Sequence, residues 1–224
     1  MTGSLAHALL EARGAAHGFG LRGTVAPAGT VRPKQVHGRA VVRAEPAPRD
    51  LGEADAVWCD TPGLTVAVVT ADCVPILVAD REARVVAAVH AGWRGLADGV
   101  IGAALGALAA RGTPGGALAA VVGPHIGPCC YEVDEPVLGR LRARFGADLE
   151  RAAEATRPGH ARVDLGALAR ADLARVIDVS AIGTFAGACT RCDAARFESH
   201  RRDGARAGRM VHWITSRASA RVGS

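Results

Sequence analysis

The sequence predicts a mixed α/β or α+β fold built in layers. Segments rich in β-branched residues and segments with helical spacing follow one another without strict alternation, which argues against a doubly wound parallel sheet. Apolar residues make up 49% of the 224 residues and aromatic residues only 4%, so a globular chain with an aliphatic core is expected. We find no repeat and no linker, and therefore expect one domain over residues 1–224.

The first quarter of the chain predicts short elements joined by irregular segments. A short amphipathic helix is expected within residues 2–13, followed by the glycine- and proline-rich segment GFGLRGTVAPAGTVRP (18–33). QVHGRAVVRAE (35–45) is typical of a strand broken by Gly38, and a loop leads into the strand DAVWC (55–59).

The middle of the chain predicts the central strands. GLTVAVVTADCVPILVAD (63–80) is a long β-branched run interrupted by Pro75, and RVVAAVHAG (84–92) is its expected return strand. LADGVIGAALGALAARG (96–112) has helical spacing and ends before a Gly-Thr-Pro stop. GALAAVVGPHIGPCCYEV (116–133) indicates a strand that enters a loop shaped by glycine and proline.

The last third alternates helical and extended patterns. DEPVLGRLRARFG (134–146) and DLGALARADLARVI (164–177) have helical spacing, and each opens on an aspartate that can cap the helix. AIGTFAG (181–187) and GRMVHWITSR (208–217) are expected to close the chain as strands.

Composition limits the class of function. The formal net charge is +5, but Lys34 is the only lysine, and no basic run is interleaved with aromatic residues. We therefore expect no nucleic-acid partner and prefer a pocket for a small anion. The chain shows neither a signal-peptide pattern nor about 18 consecutive apolar residues, so a cytoplasmic protein without a membrane segment is expected. Its six cysteines then indicate thiols or metal ligands rather than disulfides.

Cys73 and His90 stand at the two ends of the predicted central hairpin. If the turn is centred on Arg81 and Glu82, antiparallel pairing places Cys73 directly opposite His90. Opposed β-carbons lie about 4.5–5.5 Å apart, which suits either a shared metal or a cysteine–histidine pair. A bulge at Pro75 would put the two side chains on opposite faces, so the pairing is a hypothesis.

The residues around His90 indicate a ligand site. A polar ring inside VVAAVHAGW must be hydrogen-bonded or metal-bound to be tolerated in a buried strand. In the following AGWRGL, two glycines bracket Trp93 and Arg94, a pattern that brings backbone close to a ligand while Arg94 faces an anion.

Five motifs, in order, resemble a known family. KQVHG, TADCVPILVAD, VHAGWRGL, GPHIGPCCYEV and CTRCDAARFESHRRDGARAGRM are similar to those of YfiH/YlmD-type proteins, once called laccase-domain or multicopper polyphenol oxidases and regarded as zinc-containing purine nucleoside phosphorylases. The resemblance implies a single-domain, four-layer α-β-β-α sandwich with mixed sheets. It also implies that His37, Cys73 and His90 are catalytic residues that bind zinc, leaving the fourth tetrahedral position open.

The implied reaction is phosphorolysis of adenosine, inosine and methylthioadenosine by inorganic phosphate, alongside deamination of adenosine. Arginine suits the phosphate, and Arg94, Arg201 and Arg202 are the candidates. We expect His125 to contact the base or ribose, and Asp72 either to orient a zinc-bound histidine or only to end a strand. A monomer or small homo-oligomer is expected.

The remaining cysteines carry a weaker signal. Neighbouring side chains on an extended chain point in opposite directions, so at most one of Cys129 and Cys130 is expected to face a pocket. Cys189 and Cys192 form a lone Cys-x-x-Cys, which does not by itself predict a zinc ribbon.

Two departures from the family affect the expected pocket. The N-terminal segment, residues 1–33, is short and atypical, so part of the pocket lid is absent or comes from a neighbouring subunit. His200 stands where the family usually has tyrosine.

Three alternatives remain open from the sequence. A copper-dependent polyphenol oxidase would need more histidines, commonly in His-x-His pairs, and none of the eight histidines is so paired. A metal-free hydrolase with Cys73 as thiolate and His90 as base needs no second imidazole, whereas a three-ligand metal site requires His37. A non-catalytic zinc module would need a fourth ligand.

Overall fold

The computed structural model describes residues 3–47 and 50–218. Its strands are β1 (Ser4–Leu5), β2 (Ala16–Gly20), β3 (Val41–Arg43), β4 (Ala56–Cys59), β5 (Thr65–Thr70), β6 (Val74–Ala79), β7 (Val86–Ala91), β8 (Ala119–Val122), β9 (Glu132–Asp134), β10 (Ala153–Arg157), β11 (His160–Val163), β12 (Ile182–Thr184) and β13 (Met210–Thr215). Its helices are α1 (Ala8–Glu11), α2 (Trp93–Asp98), α3 (Val100–Ala110), α4 (Glu135–Phe145), α5 (Ala147–Ala152), α6 (Leu165–Leu173) and α7 (His200–Asp203).

Two larger sheets form the frame of the protein. The six-stranded sheet has the order β12-β8-β6-β7-β4-β3 and is mixed, because its two outer pairs are parallel and its inner pairs antiparallel. The four-stranded sheet has the order β1-β2-β13-β5 and is antiparallel. A small third sheet has the order β10-β11-β9. The predicted mixed α/β class with mixed sheets is confirmed.

Aliphatic side chains fill two core layers. Between the two larger sheets, Leu77, Val66 and Ile214 pack with Phe19. On the other face of the six-stranded sheet, β6 and β7 pack against helices α2, α3 and α6. Both faces of β6 and β7 are therefore buried, which explains why these strands read as continuous apolar runs.

The long run over residues 63–80 contains the main departure from the predicted elements. It forms two strands in different sheets, β5 and β6, and the chain bends at residues 71–73 rather than at Pro75. Pro75 lies inside β6, where its carbonyl accepts a hydrogen bond from the Gly123 amide. Proline has no amide hydrogen to donate to a neighbouring strand. Pro75 is tolerated here because the pairing of β6 with β8 starts only at the next residue, Ile76. Cys73 therefore stands at the junction between the two sheets.

Most other predicted elements are confirmed with shorter bounds. The helix expected over residues 96–112 is two helices, α2 and α3, which meet at Gly99 in the left-handed conformation (φ 83°). Asp164 caps α6 by accepting the Ala167 amide. The strand expected over residues 35–45 contains only β3, so His37 lies in the preceding loop. Strands β9, β10 and β11 were not predicted; four of the five residues of β10 are exposed and give no alternating pattern.

Within residues 3–47 and 50–218, every helix is too short or too polar to cross a bilayer.

Candidate active site and metal centre

His37, Cys73 and His90 meet at the wall of one cavity. Each offers a ring nitrogen or a sulfur, and these three atoms all lie within 4.8 Å of one another. The cavity has a volume of about 370 Å³, which is in the range of small-molecule sites. Its lining comes from the loop before β3, the junction of β5 and β6, the end of β7, the start of α2, the loop between β8 and β9, the start of α7 and the residue before β13. The lining residues are Gln35, His37, Val69, Thr70, Ala71, Asp72, Cys73, His90, Trp93, Arg94, Ile126, Tyr131, His200, Arg201 and Arg209.

The strand register brings Cys73 and His90 together, although the predicted register is wrong. β6 and β7 pair with Pro75, not Cys73, opposite His90. The turn is centred on Glu82 and Ala83 rather than on Arg81 and Glu82, and the register is therefore shifted by two residues. Because side chains alternate with a period of two, this shift keeps Cys73 and His90 on the same face as diagonal neighbours. A shift of one residue would have separated them.

Gly92 provides the space in which these side chains meet. The last pair at this end of the two strands is Val74 with Ala91, so the same register places Gly92 opposite Cys73. A β-carbon at Gly92 would stand 2.9 Å from Nδ1 of His37 and 3.1 Å from Sγ of Cys73. Both approaches are closer than carbon makes to such atoms without displacement. The first glycine of AGWRGL, Gly92, therefore makes room for His37 and Cys73 to approach each other.

Asp55 orients His90 from below the cavity. Its Oδ1 lies 2.7 Å from Nδ1 of His90, and both side chains are buried. The Asp55 backbone carbonyl also accepts the His90 amide at 2.7 Å. With Nδ1 bonded to the carboxylate, Nε2 of His90 is the ring atom free for a metal or for Cys73.

The same carboxylate shapes the loop that carries His37. It accepts the amides of His37 at 2.9 Å and Gly38 at 2.6 Å, and a third bond comes from Val36 at 3.3 Å. His37 has a positive φ of 60°, a conformation that costs energy for a residue with a β-carbon. The Asp55 bonds stabilise this strained loop, so one buried carboxylate positions two of the three candidate ligands.

The titration of Cys73 and His90 is coupled. Burial acts to raise the pKa of Cys73, but hydrogen bonds with His37 and His90 outweigh it and lower the pKa to about 6. Burial likewise acts to lower the pKa of His90, but Asp55 and Cys73 outweigh it and raise the pKa to about 9. In the chain without metal, a thiolate beside an imidazolium is therefore favoured near neutral pH.

These three donors fit a catalytic zinc ion. Zinc binds cysteine sulfur and histidine nitrogen at four tetrahedral positions, and three protein ligands leave one position for water or substrate. The low pKa of Cys73 favours the thiolate that a metal requires, and the Asp55 carboxylate on Nδ1 of His90 leaves Nε2 as the ring nitrogen for the metal.

Three arginines line the cavity without a carboxylate partner among the described residues. They are Arg94, Arg201 and Arg209. The ion pairs among the described residues, such as Arg22 with Glu198 and Arg202 with Asp203, involve other side chains. Arg202, a predicted phosphate ligand, lies elsewhere: its guanidinium donates to the carbonyls of Thr190 and Phe197 and pairs with Asp203. Against these three guanidinium groups the lining has one carboxylate, that of Asp72, so the cavity carries net positive charge suited to an anion.

Two aromatic side chains form part of the lining beside these arginines. The Arg94 guanidinium lies 4.6 Å from the centre of the Trp93 ring, and that of Arg201 lies 5.1 Å from the centre of Tyr131. Tyr131 is buried, and burial raises the pKa of its hydroxyl. The cavity thus combines flat apolar surfaces with fixed positive charge, as recognition of a planar base and an anion requires.

Asp72 binds neither His37 nor His90. Its Oδ1 accepts the Thr190 hydroxyl and its Oδ2 the Arg201 amide, both at 2.6 Å. Asp72 therefore fixes the segment that carries Arg201, and the orienting role predicted for it belongs to Asp55.

His125 lies outside the lining of this cavity. It faces a second cavity beside Asp164 and Phe185, and its Nδ1 bonds to the Gly123 carbonyl at 2.8 Å. Its predicted contact with a base or ribose therefore has no support from its position.

Sequence reasoning missed Asp55, Tyr131 and Arg209. An aspartate directly before a buried strand was the available signal for Asp55, but it also fits an ordinary strand start. Tyr131 and Arg209 lie within two of the five motifs that resemble the family, but nothing in those motifs distinguished either residue from its neighbours.

Comparison with known proteins places the chain among related sequences and structures. The family described as multi-copper polyphenol oxidoreductase laccase matches residues 17–217. The chain is 42% identical to a purine nucleoside phosphorylase of Pseudomonas aeruginosa over 184 residues, which cover 80% of this chain and 71% of the relative. It is similar to the crystal structure of the hypothetical protein YfiH of Bacillus licheniformis (TM-score 0.80, 30% identity) and to that of YlmD from Geobacillus stearothermophilus (TM-score 0.78, 33% identity); each match covers 84% of this chain and 74% of the other.

Proposed function

The chain belongs to the laccase-like YfiH/YlmD family, and from that premise we propose that it is a zinc-dependent purine nucleoside phosphorylase. Its substrates are inorganic phosphate with adenosine, inosine or methylthioadenosine, and it also deaminates adenosine. One observation carries the proposal: the same cavity holds the three-ligand cluster and three arginines without carboxylate partners. The printed name of the Pseudomonas aeruginosa relative supports the phosphorylase reaction.

His37, Cys73 and His90 would hold the zinc ion. When bound, zinc polarises an oxygen or nitrogen of the substrate and lowers the pKa of a bound water, which suits both reactions. Asp55 keeps the Nδ1 face of His90 occupied, so that Nε2 faces the ligand cluster.

The cationic part of the cavity would hold phosphate. Arg94 and Arg201 can donate paired N–H bonds to its oxygens and place it against the anomeric carbon of the ribose. A phosphate oxygen then bonds to that carbon, the bond from carbon to the base nitrogen breaks, and its electron pair leaves with the base. Trp93 and Tyr131 provide surfaces for the planar base.

His200 is the group in the cavity best placed to move a proton to the departing base. Its Nδ1 lies 3.0 Å from the Gly204 carbonyl, so Nε2 is the ring nitrogen left for the substrate. Imidazole is the side chain that most often serves as a general acid or base.

A second candidate function is a metal-free thiolate hydrolase, favoured by the chain of contacts from Asp55 through His90 to Cys73. A buried carboxylate on Nδ1 of the histidine and a cysteine of lowered pKa beside it form the arrangement of a cysteine nucleophile with its base. His37 and the free arginines have no role in that reaction, so it ranks second.

The test measures inosine turnover and metal content together. Wild-type protein purified without added metal should release hypoxanthine only when phosphate is present, and His37→Ala should lose this activity together with one equivalent of zinc. His160→Ala changes a histidine outside the cavity and serves as the matched control. Phosphate-independent turnover by metal-stripped protein, blocked by iodoacetamide, would replace the phosphorylase proposal with the hydrolase. Conversion of adenosine to inosine without phosphate tests the deaminase activity separately.

A further inference from the structure

Four cysteines outside the cavity converge on one point. Cys129 and Cys130 follow β8, and Cys189 and Cys192 lie between β12 and α7. Their four sulfurs all lie within 4.8 Å of one another, and all four residues are free thiols. Sγ of Cys192 is 3.3 Å from that of Cys130 and 3.7 Å from that of Cys129. We refer to these residues as the four-cysteine cluster.

We propose that the four-cysteine cluster binds a structural zinc ion. Tetrahedral zinc with bonds of about 2.3 Å separates its sulfur ligands by about 3.8 Å. Two of the sulfur separations, 3.3 and 3.7 Å, lie slightly below this value, and all of them are within 4.8 Å. Four cysteine ligands complete the coordination and leave no position for substrate, which is the pattern of a structural site. The inference does not depend on the proposed function.

A turn allows the two adjacent cysteines to face the same ion. The Gly127 carbonyl accepts the amides of Cys130 at 3.0 Å and Tyr131 at 3.1 Å, so this segment is turned rather than extended. The prediction that at most one of Cys129 and Cys130 faces a pocket assumed an extended chain, whereas this segment is turned. Both sulfurs approach Cys192.

Gly127 also makes room for the sulfurs and donates to one of them. Its amide donates to Sγ of Cys189 at 3.3 Å. A β-carbon at Gly127 would lie 3.3 Å from Cβ of Cys189 and 3.4 Å from Sγ of Cys129. Backbone donation to a sulfur stabilises the thiolate form that zinc requires.

A nearby cation offsets part of the charge of such a site. Zinc with four thiolates carries a net charge of −2. Nη1 of Arg191, which stands inside the Cys-x-x-Cys, lies 3.5 Å from Sγ of Cys130. This contact stabilises a thiolate-rich centre and gives nothing to four neutral thiols.

The cluster joins two walls of the active-site cavity. Tyr131, which lines the cavity, directly follows Cys130. Thr190 directly follows Cys189 and donates its hydroxyl to Asp72, which lies beside Cys73. A zinc ion here would cross-link the segment of Tyr131 to the segment of Thr190 and so hold the cavity in shape.

The test counts zinc in the full chain purified without reducing agent or added metal. Cys192→Ser should contain one equivalent of zinc less than the wild type, while Cys192→His, which keeps a zinc ligand, should retain it. Cys59→Ser removes a buried thiol outside both clusters and should not change the zinc content. His37→Ala should lose a different equivalent, so the failure of this proposal and that of the proposed function are distinguishable.

A second measurement uses only wild-type protein, in case Cys192→Ser does not fold. Titration with an organomercurial should release zinc as the cluster thiols react, and folded protein treated with a chelator should expose additional thiols to a disulfide reagent. Equal zinc in wild type and Cys192→Ser would overturn the proposal. So would one equivalent of iron in place of zinc, or a disulfide between any two of the four cysteines in the protein as purified.

Discussion

The two sulfur-containing clusters differ in how much coordination the chain supplies. The active-site cluster has three donors, His37, Cys73 and His90, at the wall of a cavity, whereas the four-cysteine cluster has four donors beside the surface. An incomplete set keeps a position for substrate, and a complete set does not. The count of donors and their place relative to the cavity therefore separate a site that can act on a substrate from one that can only hold the chain together.

The clusters also differ in what positions their donors. In the active-site cluster, a buried carboxylate, that of Asp55, binds His90 and the loop of His37. In the four-cysteine cluster, turns and the backbone amide of Gly127 bring the sulfurs together. A catalytic site needs side chains held in one orientation before the substrate arrives, whereas a structural site can obtain that order from the ion.

The largest expected contrast lies in the ionisation of Cys73 in metal-stripped protein. With a pKa of about 6, half of Cys73 is thiolate at pH 6, roughly 150 times the fraction of an ordinary cysteine with a pKa of about 8.5. The pH profile of Cys73 alkylation, followed by mass spectrometry, should therefore have its midpoint near pH 6. Cys59, whose pKa burial raises to about 12, should stay unmodified in the folded protein.

The same shifts predict when the ion pair stabilises the metal-free protein. The lowered pKa of Cys73 contributes stability above the ordinary cysteine pKa, and this is lost as the pH falls through about 6. The raised pKa of His90 contributes stability below the ordinary histidine pKa, and this is lost as the pH rises through about 9. Thermal unfolding should be most resistant between these limits. An alkylation midpoint near 8.5 would contradict the coupling of Cys73 to the histidines.

Gly92→Ala tests whether the active-site cluster depends on close backbone approach. The added methyl group would lie 2.9 Å from Nδ1 of His37 and 3.1 Å from Sγ of Cys73, so the donors must move apart. A misplacement of about 1 Å costs on the order of 10²-fold in rate, and we expect a loss of about that size in phosphorolysis. Gly106→Ala, a helical glycine with nothing within 4 Å of its added carbon, is the matched control. Full activity in Gly92→Ala would show that the donors need not approach so closely.

Asp55→Asn tests the carboxylate that distinguishes the two clusters. With the amide oxygen in the place of Oδ1, the NH₂ group takes the place of Oδ2 and cannot accept the amides of Gly38 and Val36, and the oxygen carries no charge for His90. Loss of such a partner typically reduces metal affinity about 10- to 100-fold, measurable by competition with a chelator. Asp60→Asn, at the other end of β4, removes only pairs to the exposed Arg43 and Arg111 and should keep wild-type affinity. Equal zinc affinity in both variants would remove Asp55 from the site.

Two members of the active-site cluster could be predicted from the pattern of the strands, whereas His37, which lies in a loop, was predicted only from the resemblance to the family. Cys73 and His90 stand out as polar positions in apolar strands, and an error of two residues in register left them on one face. Asp55 was not predictable, because its role depends on bonds to a loop 17 to 19 residues away. A local sequence pattern shows the periodicity of a strand, but it does not show hydrogen bonds between that strand and a distant loop.

The four-cysteine cluster, in contrast, could not be predicted from the sequence. Sequence separation hides it, since Cys129 and Cys192 are 63 residues apart and the intervening helices and strands decide whether they meet. The bend at residues 71–73 was missed for a related reason: β5 and β6 are equally apolar, so hydropathy does not show that they enter different sheets. Periodicity predicted the layers, and tertiary packing determined which residues share a site.

Arg94→Ala gives the smallest expected effect and tests whether the cationic part of the cavity binds phosphate. Loss of a charge-assisted hydrogen bond costs about 1.5 kcal/mol, so the KM for phosphate should rise about tenfold while the KM for nucleoside stays near the wild-type value. Arg140→Ala is the matched control: Arg140 lies 5.5 Å from the same Trp93 ring, but it pairs with Asp98 and does not line the cavity. Steady-state kinetics with either substrate varied makes the measurement. An unchanged phosphate dependence in Arg94→Ala would assign the anion to Arg201 and Arg209 alone, and equal effects in both variants would mean that the arginines act by packing on Trp93 rather than by binding phosphate.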